Sequence, residues 1–91
     1  MRGSLMSVKI ARNERRRSYR VAVVVSKKVS KSAVVRNRIR RRIYEAVRQQ
    51  AAITGPYDVI FMIYSVEVAT APAEKVQKMV ADQLSKALAM V

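Results

Sequence analysis

The sequence contains no cysteine and no histidine, and its 6 acidic residues face 19 basic ones. Without cysteine the chain forms no disulfide, thiolate metal site or thiol nucleophile, and without histidine it lacks the commonest general base. The few acidic residues show no spacing that would place two of them together as metal ligands. No catalytic residue and no metal site is therefore predicted for this chain.

Long apolar runs are also missing. No stretch approaches the roughly 18 residues of a membrane span, and the N-terminus lacks the apolar core of a signal peptide. A cytoplasmic location without membrane contact is therefore expected. What remains is a 91-residue chain that is 51% hydrophobic, which predicts a single domain over residues 1–91. Its net charge of +13 predicts a polyanionic partner.

The densest positive charge lies within residues 26–48. Five arginines occupy the seven positions from Arg36 to Arg42. Apolar residues recur at helical spacing through the same stretch and span an arc of roughly 120° on a helical wheel; they are Val35, Ile39, Ile43, Ala46 and Val47. The pattern predicts a helix from Ala33 to Gln50 or Ala51, with its apolar side on a sheet and arginine elsewhere.

The alternative interpretation of this charge is a solvated helix surface without a binding role. Arginine pairs four residues apart each destabilise the helix by a few tenths of a kcal/mol. The only acidic residue in the stretch is Glu45, and we expect it to pair with Arg41. A helix that needed only solubility would carry both acidic and basic residues, so a run of positive charges alone favours binding of an anion.

Three further segments read as strands, namely Leu5–Ala11, Tyr19–Ser26 and Tyr57–Tyr64. The second is rich in β-branched residues, which predicts a central strand or one covered on both faces. Ser30 or Ser32 is expected to cap the arginine helix. A second amphipathic helix should begin near Pro72, with Thr70 as a candidate cap. The order β-β-α-β-α predicts a small α+β fold, a two-layer sandwich.

The run SKKV at residues 26–29, followed by AVVRNRIRR at 33–41 and Glu45, resembles the bacterial ribonuclease P protein component. The strands that contain Arg20-Val21 and residues 57–60 also lie where that family has them. The resemblance covers Leu5 to the C-terminus. It implies the ribosomal S5 domain 2-like fold with a left-handed βαβ crossover, although such crossovers are right-handed in about 98% of proteins.

The sequence departs from the family pattern in four respects. The family's N-terminal helix is apparently absent, and Val8 stands near a position where the family often has an aromatic residue. Tyr44 stands where a basic residue is usual, and the loop before Ala33 is one residue longer than the common form. These departures concern contacts with the precursor tRNA leader more than the fold.

The resemblance implies a protein subunit that assists a catalytic RNA, which performs the hydrolysis and binds the magnesium. Its partners would be ribonuclease P RNA and precursor tRNA, and the protein itself would be a monomer. The helical wheel then separates two surfaces. The surface for the catalytic RNA comprises Lys27, Lys28, Arg36, Asn37, Arg38, Arg41 and Arg42, of which Arg36 could serve either surface. The groove for the substrate leader comprises Val8, Arg40 and Tyr44.

Three other functions compete with this interpretation. A non-enzymatic protein that binds structured RNA, such as a ribosomal protein, would share the charge and the fold class, but the SKKV and RNR runs together argue against it. A DNA-binding helix would carry polar side chains that read bases. A protein-only ribonuclease would need the histidines or clustered acids that the sequence lacks.

Overall fold

A computed structural model describes residues 5–15, 18–49 and 56–90. Three strands, two α-helices and one short 3-10 helix form within these residues. In chain order they are β1 (Met6–Arg12), β2 (Arg20–Val25), α1 (Ala33–Arg48), β3 (Tyr57–Ile63), the 3-10 helix (Val66–Ala69) and α2 (Ala73–Ala89). The predicted α+β order is confirmed, with the 3-10 helix as an addition.

The sheet has the order β1-β3-β2, so β3 is the central strand. β1 runs antiparallel to β3, with Val8 opposite Phe61, and β2 runs parallel to β3, with Val23 opposite Phe61. The prediction that β2 is central or covered on both faces is wrong, because β2 is an edge strand and Val24 is 48% exposed. The left hand of the β2-α1-β3 crossover stays a prediction from the resemblance.

Alternating burial along much of each strand divides the sheet into a buried and an open face. α1 packs on β2 and α2 packs on β1, and the two helices also contact each other over the same face. Phe61, Ile39 and Ile43 are fully buried between the two layers, and full burial of one such side chain contributes about 1.5–3 kcal/mol. The apolar arc predicted for α1 is confirmed, since Ile39, Ile43, Ala46 and Val47 are all buried.

The ends of the helices differ from the predicted ones. α1 ends at Arg48, and the predicted end at Gln50 or Ala51 lies outside the described residues. α2 has Pro72 at its N-cap without a side-chain cap, whereas Thr70, the predicted cap, ends the 3-10 helix. Within the described residues neither helix is long and apolar enough to cross a membrane.

Candidate nucleic-acid interface

The segment before α1 is a compact turn that carries two exposed lysines. The backbone N–H groups of Val29 and Ser30 donate to the carbonyl oxygen of Ser26, which leaves Lys27 and Lys28 at the outside of the turn. Ser32 then caps the helix, because its Oγ accepts the Val35 N–H at 3.3 Å. Serine stabilises a helix start in this way, and the predicted cap at Ser30 or Ser32 is confirmed at Ser32.

Arg36 connects the helix to the turn. Its Nη1 donates to the carbonyl oxygen of Ser30 at 2.9 Å, and the arginine is half-buried. This hydrogen bond from Nη1 therefore holds the lysine-bearing turn against the first turn of α1. We infer that substitution of Arg36 would disturb the placement of Lys27 and Lys28 as well as remove a charge.

Three side chains predicted to contact the catalytic RNA lie exposed on α1; they are Asn37, Arg38 and Arg41. Arg38 and Arg41 line a shallow depression together with Val34 and Val35. Oδ1 of Asn37 accepts a hydrogen bond from Nη1 of Arg40 at 2.8 Å. An exposed guanidinium presents a planar fork of donors that matches a phosphate.

Arg42 is engaged within the protein. Its Nη1 donates to the carbonyl oxygen of Val68 at 2.8 Å, and its Nη2 donates to the carbonyl oxygen of Ala71. The side chain therefore connects α1 to the 3-10 helix and to the segment that leads into α2. A helical wheel cannot show these contacts, because the carbonyls lie 26 and 29 residues further along the chain. The RNA contact of Arg42 stays a prediction, for a side chain that also joins two parts of the protein.

Arg40 and Tyr44 lie on the flank of α1 opposite Arg42, as expected from steps of about 100° per residue. Tyr44 is 39% exposed, and Arg40 is half-buried. The residue after Tyr44, Glu45, contacts Arg48 with an N–O distance of 3.3 Å. This ion pair corrects the expectation that Arg41 would be the partner of Glu45, and no ion pair of Arg41 is found among the described residues.

Val8 does not belong to an accessible groove. Its side chain is 1% exposed and lies in the core with Met6 and Phe61. The prediction of a leader contact at Val8 is therefore wrong. The residue faces the helices because the alternation of β1 places Met6 and Val8 on the buried face, and Ser7 and Lys9 on the other.

The open face of the sheet is a surface that the sequence interpretation missed. Val24, Ile60 and Met62 are exposed there, and the registers place Met62 beside both Ser7 and Val24. The hydroxyl of Tyr64, a residue that is 43% exposed, lies 2.7 Å from Oγ of Ser7. The apolar run of β3 carries no signal for this face, because such a run is also typical of a strand buried on both sides.

Cations border this open face. Lys9 lies opposite Ile60 on one side of β3, and Arg20 lies opposite Asp58 on the other; both cations are exposed. Asp58 accepts a hydrogen bond from Nδ2 of Asn13 at 3.0 Å and so holds the turn after β1. Apolar and aromatic groups bordered by positive charge suit single-stranded nucleic acid, whose bases stack and whose phosphates need cations.

Among the described residues no three side chains of the Asp, Glu, His and Cys types lie together as a metal site would require. Two acids pair with neighbouring arginines, namely Glu14 with Arg12 and Glu45 with Arg48. The arrangement is suited to binding anions, and the particular binding roles of the predicted residues stay predictions.

Comparison with known proteins identifies similar chains. The family model Ribonuclease P matches residues 1–88. The ribonuclease P protein component of Chloroflexus aurantiacus is 47% identical over 64 residues, which are 69% of this chain and 47% of that protein. The component of Pseudanabaena sp. is 46% identical over 48 residues, or 53% of this chain and 41% of that protein. The matched part therefore spans about half the length of these curated relatives.

A solved structure shows the same fold. The Staphylococcus aureus RNase P protein superimposes with a TM-score of 0.80 and 23% sequence identity, over 96% of this chain and 78% of that chain. The likeness confirms the small α+β architecture, and at this identity it speaks for the fold alone.

Proposed function

The chain belongs to the ribonuclease P protein family, and on that premise we propose that it is the protein subunit of a ribonucleoprotein that matures the 5′ end of tRNA. In this proposal it binds a catalytic RNA and the 5′ leader of precursor tRNA. The RNA performs the endonucleolytic cleavage. The protein acts as a monomer in the cytoplasm, and the divalent ions belong to the RNA.

The observation that carries the proposal is the arginine-rich side of α1. Four buried residues of the helix anchor it to the sheet, while Asn37, Arg38 and Arg41 are exposed on the other side. A guanidinium mounted on a packed helix loses less conformational freedom on binding than one on a loose tail. This side of α1, with Lys27 and Lys28 at its start, supports a contact with the catalytic RNA.

The role of the protein would follow from its charge. Catalytic RNA and precursor tRNA repel each other, and a chain of net charge +13 held between them reduces that repulsion. The complex would then need less magnesium to assemble. If six to ten phosphates are neutralised, affinity for the RNA should fall by about 10³–10⁵ between 50 and 200 mM salt, by analogy with duplex DNA.

We propose that the leader binds to Arg40, Tyr44 and the open sheet face. The open face takes the role that the sequence analysis gave to Val8. A single-stranded leader offers bases that can stack on an aromatic ring and phosphates that can meet a cation. Tyr64 and Met62 supply apolar surface on the sheet, and Lys9 supplies positive charge beside it.

The second candidate remains a non-enzymatic protein that binds structured RNA. It would bind through the same arginines, so binding alone cannot separate the two functions. The SKKV and RNR runs within the matched family region favour the ribonuclease P function. Acceleration of precursor tRNA cleavage is the observation that separates them.

The experiment is reconstitution with a bacterial ribonuclease P RNA and precursor tRNA at low magnesium. The protein should accelerate release of the leader, and the variant Arg38→Ala/Arg41→Ala should lose most of this acceleration. These two residues are chosen because Arg36 and Arg42 donate to backbone carbonyls, so their replacement would also disturb the fold.

The matched control is Lys75→Ala/Lys78→Ala, which removes the same charge from exposed positions of α2. It should retain the acceleration. Failure of the unaltered protein to accelerate cleavage, while it still binds the RNA, would favour the non-enzymatic function. Equal losses in both variants would show that total charge, and not the α1 surface, governs activity.

A further inference from the structure

A shallow, open cleft lies between α1 and the segment that runs from the end of the 3-10 helix to α2. Its lining residues are Arg38, Arg42, Ala69, Thr70 and Ala71. Two guanidinium groups from successive turns of α1 thus meet a wall of small side chains and one hydroxyl. Alanine on the opposite wall leaves room beside the guanidiniums that a larger side chain would fill.

One of the two guanidiniums is already fixed. Arg42 donates to the carbonyl oxygens of Val68 and Ala71, which holds its plane in place and leaves its remaining N–H donors for other acceptors. A donor that is held before binding loses little side-chain entropy when a ligand arrives. The fixed position of Arg42 therefore favours an anion beside it.

The positive charge in the cleft has no counterion within the described part of the chain. The ion pairs found there join Arg12 to Glu14 and Arg48 to Glu45, and none reaches Arg38 or Arg42. Like charges four residues apart on a helix repel each other, and an anion between them would relieve that repulsion. The cleft has the chemistry of a phosphate site.

We propose that this cleft holds one phosphodiester group of the catalytic RNA. Arg42 contacts the phosphate from its fixed position, Arg38 closes on it from the solvent side, and the hydroxyl of Thr70 donates a hydrogen bond. The inference rests on the proposed function and extends it, since the RNA contact then continues from α1 onto the 3-10 helix and the start of α2.

The test places a carboxylate in the cleft. In Thr70→Glu the new side chain should pair with the two guanidiniums, so thermal stability is retained or raised while affinity for a bacterial ribonuclease P RNA falls at least about tenfold. The slope of log affinity against log salt should also become shallower by about 0.7–0.9, the value for one lost phosphate contact. The matched control Ser85→Glu adds the same charge at an exposed position of α2 and should leave that slope unchanged.

A second variant keeps the test independent of any local disturbance at Thr70. Arg38→Gln removes the other side of the same phosphate contact. The double variant Arg38→Gln/Thr70→Glu should therefore lose less affinity than the sum of the two single losses. Full additivity would mean that the two residues contact separate phosphates, and the proposal would be overturned.

Three more outcomes are decisive. Thr70→Glu with the RNA affinity of Ser85→Glu, in a protein that still accelerates cleavage, overturns the cleft assignment and leaves the proposed function intact. A further possibility is that inorganic phosphate raises the Tm of the unaltered protein, and that Thr70→Glu abolishes this rise without weakening RNA binding. The cleft would then be a site for free anions, which also overturns the cleft assignment and leaves the proposed function intact. If the unaltered protein fails to bind the RNA, the proposed function falls and this inference falls with it.

Discussion

Replacement of Arg42 by methionine should destabilise the protein, although the residue lies in a run of apparent RNA contacts. Methionine retains an apolar stem and a high helix propensity, so the change mainly removes the guanidinium. Two charge-assisted hydrogen bonds to Val68 and Ala71 are lost. Each such bond contributes about 1.5–3 kcal/mol when buried, but water reaches the half-buried guanidinium and can replace part of it, so we expect a total loss of about 1.5 kcal/mol.

The assay is equilibrium unfolding in urea, supported by thermal melting. A loss of about 1.5 kcal/mol lowers Tm by roughly 6–12 °C in a domain of this size. The matched control is Arg41→Met, one residue earlier, where the side chain is exposed and has no described bond; its effect should stay within about 0.5 kcal/mol.

Both variants should weaken RNA binding, because each removes a guanidinium that we propose to contact RNA. Only Arg42→Met should also lower the unfolding midpoint, since only Arg42 donates hydrogen bonds to backbone carbonyls of another segment. Equal unfolding midpoints for the two variants would refute the assignment of Arg42 as a connection between α1 and the 3-10 helix.

Three further predictions address the helix cap, the core and the open face. Ser32→Ala should cost about 0.5–2 kcal/mol of stability in urea unfolding, with Ser85→Ala as a neutral control; a neutral Ser32→Ala would contradict the cap. Val8→Ala should lower the free energy of unfolding by about 2 kcal/mol, while Val24→Ala on the open face should change it little. A larger loss for Val24→Ala would contradict the assignment of the buried and open faces. Tyr64→Ala should weaken binding of precursor tRNA by about 1–3 kcal/mol in a filter-binding assay without affecting mature tRNA, and an equal loss for both would exclude a leader contact.

The sequence was sufficient to predict the elements whose signal is local. The period of the apolar residues from Val35 to Val47 located α1, and a serine cap at Ser30 or Ser32 was predicted for its start. Such features depend on neighbours within one or two turns of the chain. They determine which side of α1 is buried and therefore which arginines are exposed.

Features that depend on distant pairing were not predicted. The valine run of β2 reads as a central strand, yet strand order depends on which strands pair, and β2 pairs only with β3 among the described residues. The contact of Arg42 with Val68 is of the same kind, since it joins residues far apart in the sequence.

Val8 shows how two kinds of inference can conflict. The alternation of β1 placed Val8 with Met6 and Ile10 on the apolar face, whereas the resemblance placed it in a substrate groove. The structure agrees with the alternation. A position taken from a family resemblance is therefore less secure than a face determined by the period of the strand itself.

The central claim is that guanidiniums on one side of α1 bind RNA phosphates, and its most direct test is the salt dependence of affinity for ribonuclease P RNA. We predict that log affinity falls steeply with log salt and that Arg38→Ala/Arg41→Ala reduces the slope by about 1.4–1.8, the value for two phosphate contacts. Lys75→Ala/Lys78→Ala should keep the slope of the unaltered protein. Equal slopes for the two double variants would contradict the claim.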